Sequence, residues 1–572
     1  MIKKLVLILI TNLLLWSCAR VGSPVGGSKD TIPPQYMGSN IDSPRVNVST
    51  NLRELRIDFD EYIQLKNIQK QLIISPPIKN LKKIIPSNLA NKYILIQWGD
   101  SLQRNTTYNF NFGNAIVDYN EGNVLPYFNF AFSTGSHLDS LYLSGTAKAV
   151  LSNQNDKEAN IIIGLYPYKD SINYREKPYY ITKADKDGYY ELDYLAVGHY
   201  KLIAFNDENG NSVYDTGKEA LGFIKDSINL KQSISGLNLN LYPAKKKLEY
   251  KELKATNGGI LMTFEGNPKK VEVKSISSEL SDYKITHTPY SDSLTIWFDA
   301  AKEGFSPEKG TLLKFSYDLG SKKDTVQTFY KPITKDELTL KNNYGGVLKP
   351  KQPLVITSNY AIDKIDAQYW KLTADSMQVA FNFEAEISKD SPYKIEVSAP
   401  YEADKNYRLI IPKSTVLSYY QSNAKPYAFD FKVDAAHNYG TLTIRLAHAP
   451  KMPFWVQLLD KDYKTINSIK TQKSEIKFSE LKPSNYHIQI LVDDNDNGVW
   501  DTANLSTNTL AEGYYLYPKT LEVRQLWDLV EDWDLAPNTD TAKTTPISDS
   551  TEQQSPSLKL SLPLKKETTT NE

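Results

Sequence analysis

The chain has 572 residues, too many for one hydrophobic core, so several domains are expected. Its 67 Lys plus Arg balance 67 Asp plus Glu, and no predicted strand or helix carries a basic run, which argues against nucleic acid as a partner. The 38 Tyr, 19 Phe and 8 Trp, beside only 5 Met, suit the pleated, half-buried surface of sheets and predict an all-β protein.

In chain order, "MIKKLVLILITNLLLWS" places Lys3 and Lys4 before an apolar run and a small Ser17. That is the pattern of a secretory leader, too short and too poorly flanked for a transmembrane span. The chain's one cysteine, Cys18, follows directly, and Leu15-Trp16-Ser17-Cys18 resembles a bacterial lipoprotein box. The resemblance implies that residues 1–18 are a lipoprotein signal peptide and that Cys18 is the lipidated residue. Without a second cysteine the exported domains hold together without disulfides. Residues 19–32, "ARVGSPVGGSKDTI", read as a flexible tether.

Residues 33–135 carry short alternating runs. "LRELRIDFDEYI" sets Leu55, Ile57 and Phe59 against Arg56, Asp58 and Asp60, and "KYILIQW", "YNFNFG" and "YFNFAFSTG" repeat the idiom. Such strands with Pro, Asn, Asp and Gly between them predict a sandwich. "RIDFDEYI", "LQRNTTYNFNFGNAIVDYNEGN" and "FNFAFSTG" resemble the bacterial Ig-like domain of surface-layer and envelope proteins. The resemblance implies a scaffold without catalytic residues, with Asp118 and Gly122-Asn123 in a turn.

Residues 136–245 form a second type of unit, whose runs "LSGTAKAVL", "ANIIIGLYPY", "GYYELDYLAVGHYKLIAF" and "ISGLNLNLYP" resemble the prealbumin-like (transthyretin-like) sandwiches of secreted bacterial proteins. The type recurs at 436–535. An offset of 286 pairs Leu195 with Leu481, Tyr200 with Tyr486, Asp207 with Asp493 and Asp215 with Asp501. Between the copies, 246–336 is Ig-like by pattern, and 337–435 follows the layout of the first Ig-like unit. Residues 536–572, rich in Thr, Ser and Pro, read as a disordered tail. The expected molecule is therefore a tandem array of Ig-like and prealbumin-like β-sandwiches, drawn out as a tethered rod.

Each prealbumin-like copy follows an apolar run ("YKLIAF", "YHIQIL") with an acidic loop, "DENGNSVYDTG" or "DDNDNGVWDT". A hard cation takes six to eight oxygens from alternate positions of a tight loop. Asp207, Asn209, Asn211, the Val213 carbonyl and Asp215 provide that spacing, and Asp493, Asn495, Asn497, the Val499 carbonyl and Asp501 repeat it. Gly498 supplies a freely turning sixth position where the first copy has Ser212. Glu219, one residue beyond the twelfth position, is expected to help the first loop alone. Calcium is thus the expected cofactor, at the modest affinity of extracellular modules. The alternative is a plain turn, because Asn, Asp and Gly bond their own backbone without an ion.

Nothing points to catalysis. His137, His199, His287, His437, His448 and His487 lack zinc spacing, and there is no nucleophile elbow or P-loop. Asp493 and Asp494 are adjacent in sequence, which says nothing of a catalytic carboxylate pair. Trp370, Trp455, Trp500, Trp527 and Trp533 could stack on a glycan, although their alternation favours core packing. The reading adopted is a non-catalytic, lipid-anchored outer-membrane protein of Bacteroidetes type, acting in adhesion, scaffolding or envelope assembly. Its membrane contact would be the N-terminal lipid, and its partner an envelope protein or glycan. Surface-exported lipoproteins of that type often carry an acidic run after the cysteine; none follows Cys18, so the resemblance implies the periplasmic face, with the cell surface as the alternative. The alternatives are a glycan-binding lipoprotein for nutrient capture and an envelope hydrolase.

Overall fold

The computed structural model describes residues 29–151, 160–256, 258–333, 336–342, 344–374 and 380–536. Cys18, the leader, the tether up to residue 28 and the tail from 537 lie outside the described residues. The chain is all-β, as its composition predicted. Its described helices are single turns, Ile68–Gln71, Ala367–Tyr369 and Ala436–Asn438, and none is long and apolar enough to cross a membrane.

The alternation read in "LRELRIDFDEYI" is realised in Glu54–Leu65, where Leu55, Ile57 and Phe59 are buried and their neighbours face outward. This strand lies in a five-stranded sheet with Tyr36–Ser39, Asn91–Trp98, Leu81–Ile85 and Ile116–Asp118. The opposing sheet contains Ile73–Ser75, Thr107–Asn111 and Asn129–Ser133. The core between them is aromatic: Phe110 lies 6.0 Å from Phe132 and 6.1 Å from Trp98, ring to ring. Two further sandwiches fill the middle of the chain, one around Ile260, Ile296 and Phe315 and one around Ile356, Leu409 and Phe431. Trp297 of the former is buried in the core of the latter, 5.5 Å from the Tyr360 ring.

The two acidic-loop units share one topology. In the first, Tyr180–Lys183, Ile161–Pro167, Gly198–Asn206 and Leu221–Phe223 lie side by side. In the second, the same order is Thr465–Thr471, Phe454–Leu459, Ser484–Val492 and Tyr514–Leu516. The facing sheets are Tyr189–Leu195, Leu141–Ala149, Leu239–Leu241 and Glu475–Leu481, Gly440–Ala447, Asp528–Asp534. Each ends in a strand parallel to its neighbour.

The rod is corrected by the structure: the second acidic-loop unit lies against the first. Leu505 is buried among Ile162, Tyr166, Phe205, Tyr214 and Phe223 of the first unit. Lys201 Nζ donates to Asn508 Oδ1 at 2.7 Å, Asn508 Nδ2 to the Lys225 carbonyl at 3.1 Å, and Thr502 Oγ1 to the Pro243 carbonyl at 2.7 Å. The reason is a sheet with two apolar faces. Ile203 and Phe205 point away from their own core and need a cover, which an insertion in the distant copy provides.

Candidate functional site

The acidic loops begin where Gly198–Asn206 and Ser484–Val492 end, so each leading Asp is anchored by the last turn of a central, buried strand. Asp207 and Asp493 are 3% and 0% exposed. The Asp207 carboxylate accepts hydrogen bonds from the backbone amides of Gly210, Asn211 and Ser212 at 2.9, 3.1 and 2.9 Å. Asp493 accepts from Asn497 at 2.9 Å and Gly498 at 3.0 Å. A buried carboxylate is tolerated only with such donors, and here the loop's own amides supply them. Asn209 and Asn211 accept from the amides of Asn211 and Val213, and Asn495 and Asn497 accept from those of Asn497 and Val499.

The chain turns at the fourth and sixth positions of both loops. Gly210 and Asp496 have φ of +75° and +53°, and Ser212 and Gly498 have +59° and +84°. Each copy thus places a glycine at a different one of these two turning positions and forces an L-residue into the left-handed region at the other.

A second carboxylate closes each loop, and this corrects the expectation that only the first has one. Glu219, 1% exposed, accepts from the amides of Glu208 and Asp215 at 3.1 and 2.9 Å. Glu512 accepts from Asn495 and Asp501 at 3.2 and 2.7 Å. The insertion that carries Leu505 separates Glu512 from Asp501 and hides the equivalence in sequence. Alignment from the following strands shows it, since Glu219 and Glu512 each stand two residues before Leu221–Phe223 and Tyr514–Leu516.

The loops differ in charge. In the second, Lys470 Nζ reaches Asp493 Oδ2 at 2.9 Å and Lys245 Nζ, from the end of the first unit, reaches Asp501 Oδ1 at 2.7 Å. Burial works against the charge on Asp493, but Lys470 and the amides of Gly498 and Asn497 outweigh it and hold its pKa below the ordinary value. Asp501 is lowered likewise, burial opposed by Lys245, Asn495 and Asn497. In the first loop Asp215 has the Asn209 side-chain amide as its partner. Burial there, with smaller contributions from the Asp207 and Asp215 charges, raises Glu219. Glu512 is raised for the same kind of reason, burial first and then Asp501 and Asp493.

The donor set of either loop is all oxygen, as a hard cation requires. Among the described residues, however, no three His, Cys, Asp or Glu side chains are grouped to hold a metal ion. The carboxylates are engaged with amides and, in the second loop, with two ammonium groups. Asp118 of the first unit, which was expected in a turn, uses the same device, accepting from Glu121, Gly122 and Asn123 at 2.6, 3.0 and 2.7 Å.

Asp494 lies apart from Asp493 in role, accepting from the Gly513 amide at 3.0 Å. Trp370 and Trp533 are buried in separate cores. Trp455 lies under Lys470, Trp500 packs on Tyr242, and Trp527, 49% exposed, lies under Arg524. Each of these three rings has its own partner on a different element.

Among solved structures, the chain is similar to the S-layer protein rSbsC (10% identity over 86% of this chain and 68% of that one, TM-score 0.14). It is also similar to the Bacillus anthracis TIE protein (11%, 89% and 75%, 0.12) and to BcpA, the major pilin subunit of Bacillus cereus (12%, 70% and 99%, 0.13). The chain has no match among curated proteins. Residues 30–134 match the bacterial Ig-like domain family, and with their two packed sheets they form an Ig-like domain at the start of a tandem β-sandwich chain.

Proposed function

We propose that this chain is a non-catalytic, lipid-anchored protein of the bacterial cell envelope, acting in adhesion, scaffolding or envelope assembly. The observation that carries the reading is the bacterial Ig-like domain at 30–134, followed by sandwiches whose buried carboxylates are spent on backbone amides. A group held by two or three amides is a structural tie and not a poised acid or base. Cys18, at the end of the apolar leader, supports anchoring by lipid. Metabolic labelling with a radioactive fatty acid, followed by membrane fractionation, tests this. The native chain should carry label into the outer-membrane fraction and Cys18→Ser should carry none; label retained by Cys18→Ser would refute the anchor.

Calcium remains part of the proposal, and the charge balance ranks the two loops. The first offers Asp207, Asp215 and Glu219 with no ammonium bonded to them among the described residues, whereas an ion at the second must displace Lys245 and Lys470. Bound there, calcium would supply a fixed positive charge that stiffens the turn. Thermal melting with calcium at roughly 1 mM, in the range of extracellular modules, should rise for the native chain and not for Asp207→Ala/Asp493→Ala. An unchanged melting curve in the native chain would leave the loops as turns alone.

A further inference from the structure

A groove of about 820 Å³ runs between the Ig-like domain and the first acidic-loop unit. One wall is the segment after Ile73–Ser75, with Pro76, Pro77 and Ile78; the other is the segment before Tyr180–Lys183, with Ile172 and Tyr179. Both strands are outermost in their sheets. They meet there: the Ser75 hydroxyl accepts from the Ile181 amide at 3.0 Å and donates to its carbonyl at 3.1 Å, and Ile73 packs on the cluster that holds Ile181.

The charge lining this groove is one-sided, four cations to one carboxylate. Lys79, Lys169, Arg175 and Lys177 line it and are exposed. Glu176, the one carboxylate lining it, accepts from Asn173 at 3.0 Å. Among the described residues none of these four cations is paired with a carboxylate. In a chain of zero net charge, this is a local excess of unpaired positive charge around an apolar floor.

We propose that this groove binds an extended acidic polypeptide segment of a partner protein. An extended chain suits a groove between two walls, aliphatic side chains suit the proline and isoleucine floor, and carboxylates suit the four cations. A glycan would call for an open aromatic face. The rings here meet each other edge-on instead, Tyr166 with Tyr174 at 5.1 Å and Tyr179 with Tyr180 at 4.9 Å. Ser212 and Val213 of the first acidic loop also line the groove, but its four cations and its proline and isoleucine floor lie outside that loop, and the site does not require lipid on Cys18.

The test uses the purified full chain in detergent and a fluorescein-labelled decapeptide of alternating Asp and Val. A Lys/Val decapeptide and an oligogalacturonate serve as comparison probes. The Asp/Val peptide should bind saturably, weaken in high salt, and lose about tenfold or more in affinity in Lys169→Glu/Arg175→Glu/Lys177→Glu. All three positions are exposed, and an unchanged melting temperature certifies the fold. Lys186→Glu/Lys231→Glu/Lys461→Glu alters net charge equally at other exposed sites and should bind as the native chain does. Absence of saturable binding, equal binding by the groove variant, or preference for the Lys/Val peptide would overturn the proposal. Tighter binding of oligogalacturonate would overturn it in favour of an anionic glycan. Because the readout is soluble binding, failure here leaves the anchoring reading untouched, and failure of fatty-acid labelling leaves this one untouched.

Discussion

The two acidic loops are one design in two settings. Both hang from the end of a central strand, both bury a leading aspartate under their own amides, and both are closed by a glutamate two residues before the next strand. Among the described residues the carboxylates of the first have no ammonium partner, while the second is neutralised by Lys470 and Lys245. Lys245 belongs to the first unit, so the second loop is also part of the seam between the copies. The difference teaches that a repeated motif conserves the geometry of a turn, while its charge is set by whatever packs alongside.

The largest expected effect comes from removing the leading carboxylate. Asp493→Ala leaves two backbone amides and Lys470 without their buried acceptor and should cost about 3 kcal/mol, near the lower end for breaking a buried ion pair because Lys470 is partly exposed. Asp207→Ala, which among the described residues breaks no ion pair, should cost about 2 kcal/mol. Hydrogen exchange at the loop amides measures both, and equal losses would break the comparison. Next is the seam. Leu505→Ala should weaken docking of the insertion by about 2 kcal/mol, and Leu505→Asp should detach it, seen as a larger radius of gyration in solution scattering. An unchanged radius would mean that the polar contacts of Asn508 and Thr502 suffice.

The calcium ranking can be sharpened in the same way. Lys245→Met should make the second loop respond to calcium more nearly as the first does; an unchanged response would show that charge neutralisation is not what separates them. Smaller still, Ser212→Gly and Asp496→Gly relieve left-handed backbone at +59° and +53° and should each stabilise by about 1 kcal/mol or less. Finally, pH acts oppositely on the two kinds of carboxylate. The Glu219 pKa is raised above its ordinary 4.5, so its contribution is present below that value and is lost as pH rises through the folded pKa. Asp493 is lowered from 3.8, so its contribution is present above that value and is lost as pH falls through the folded pKa. Exchange at the amides of Asn497 and Gly498 should therefore accelerate below about pH 3.8, and flat profiles would show that these groups do not titrate with the loop.

Much of the fold was legible, and the reason is local. Strands with one wet face must alternate, so Leu55, Ile57 and Phe59 announced their own burial. The loop pattern was legible because an Asp that accepts from amides three to five residues on leaves a fixed spacing. Glu512 was missed because a seven-residue insertion shifts it, and only pairing of the next strand restores the register. "YKLIAF" is apolar almost throughout and so is buried on both faces, whereas "YHIQIL" alternates: His487 and Gln489 stand on the outer face, under Tyr463 and bonded to Gln457.

The sequence by itself determined the β architecture, the first Ig-like domain and the repeat, because side-chain alternation and turn chemistry act between residues close along the chain. Tertiary structure alone decided that the copies lie together, that Lys245 neutralises the far loop, and that four cations gather at one groove. Those relations join residues far apart in the chain, and no local spacing encodes a contact whose partners are brought together only by the burial of a second apolar face.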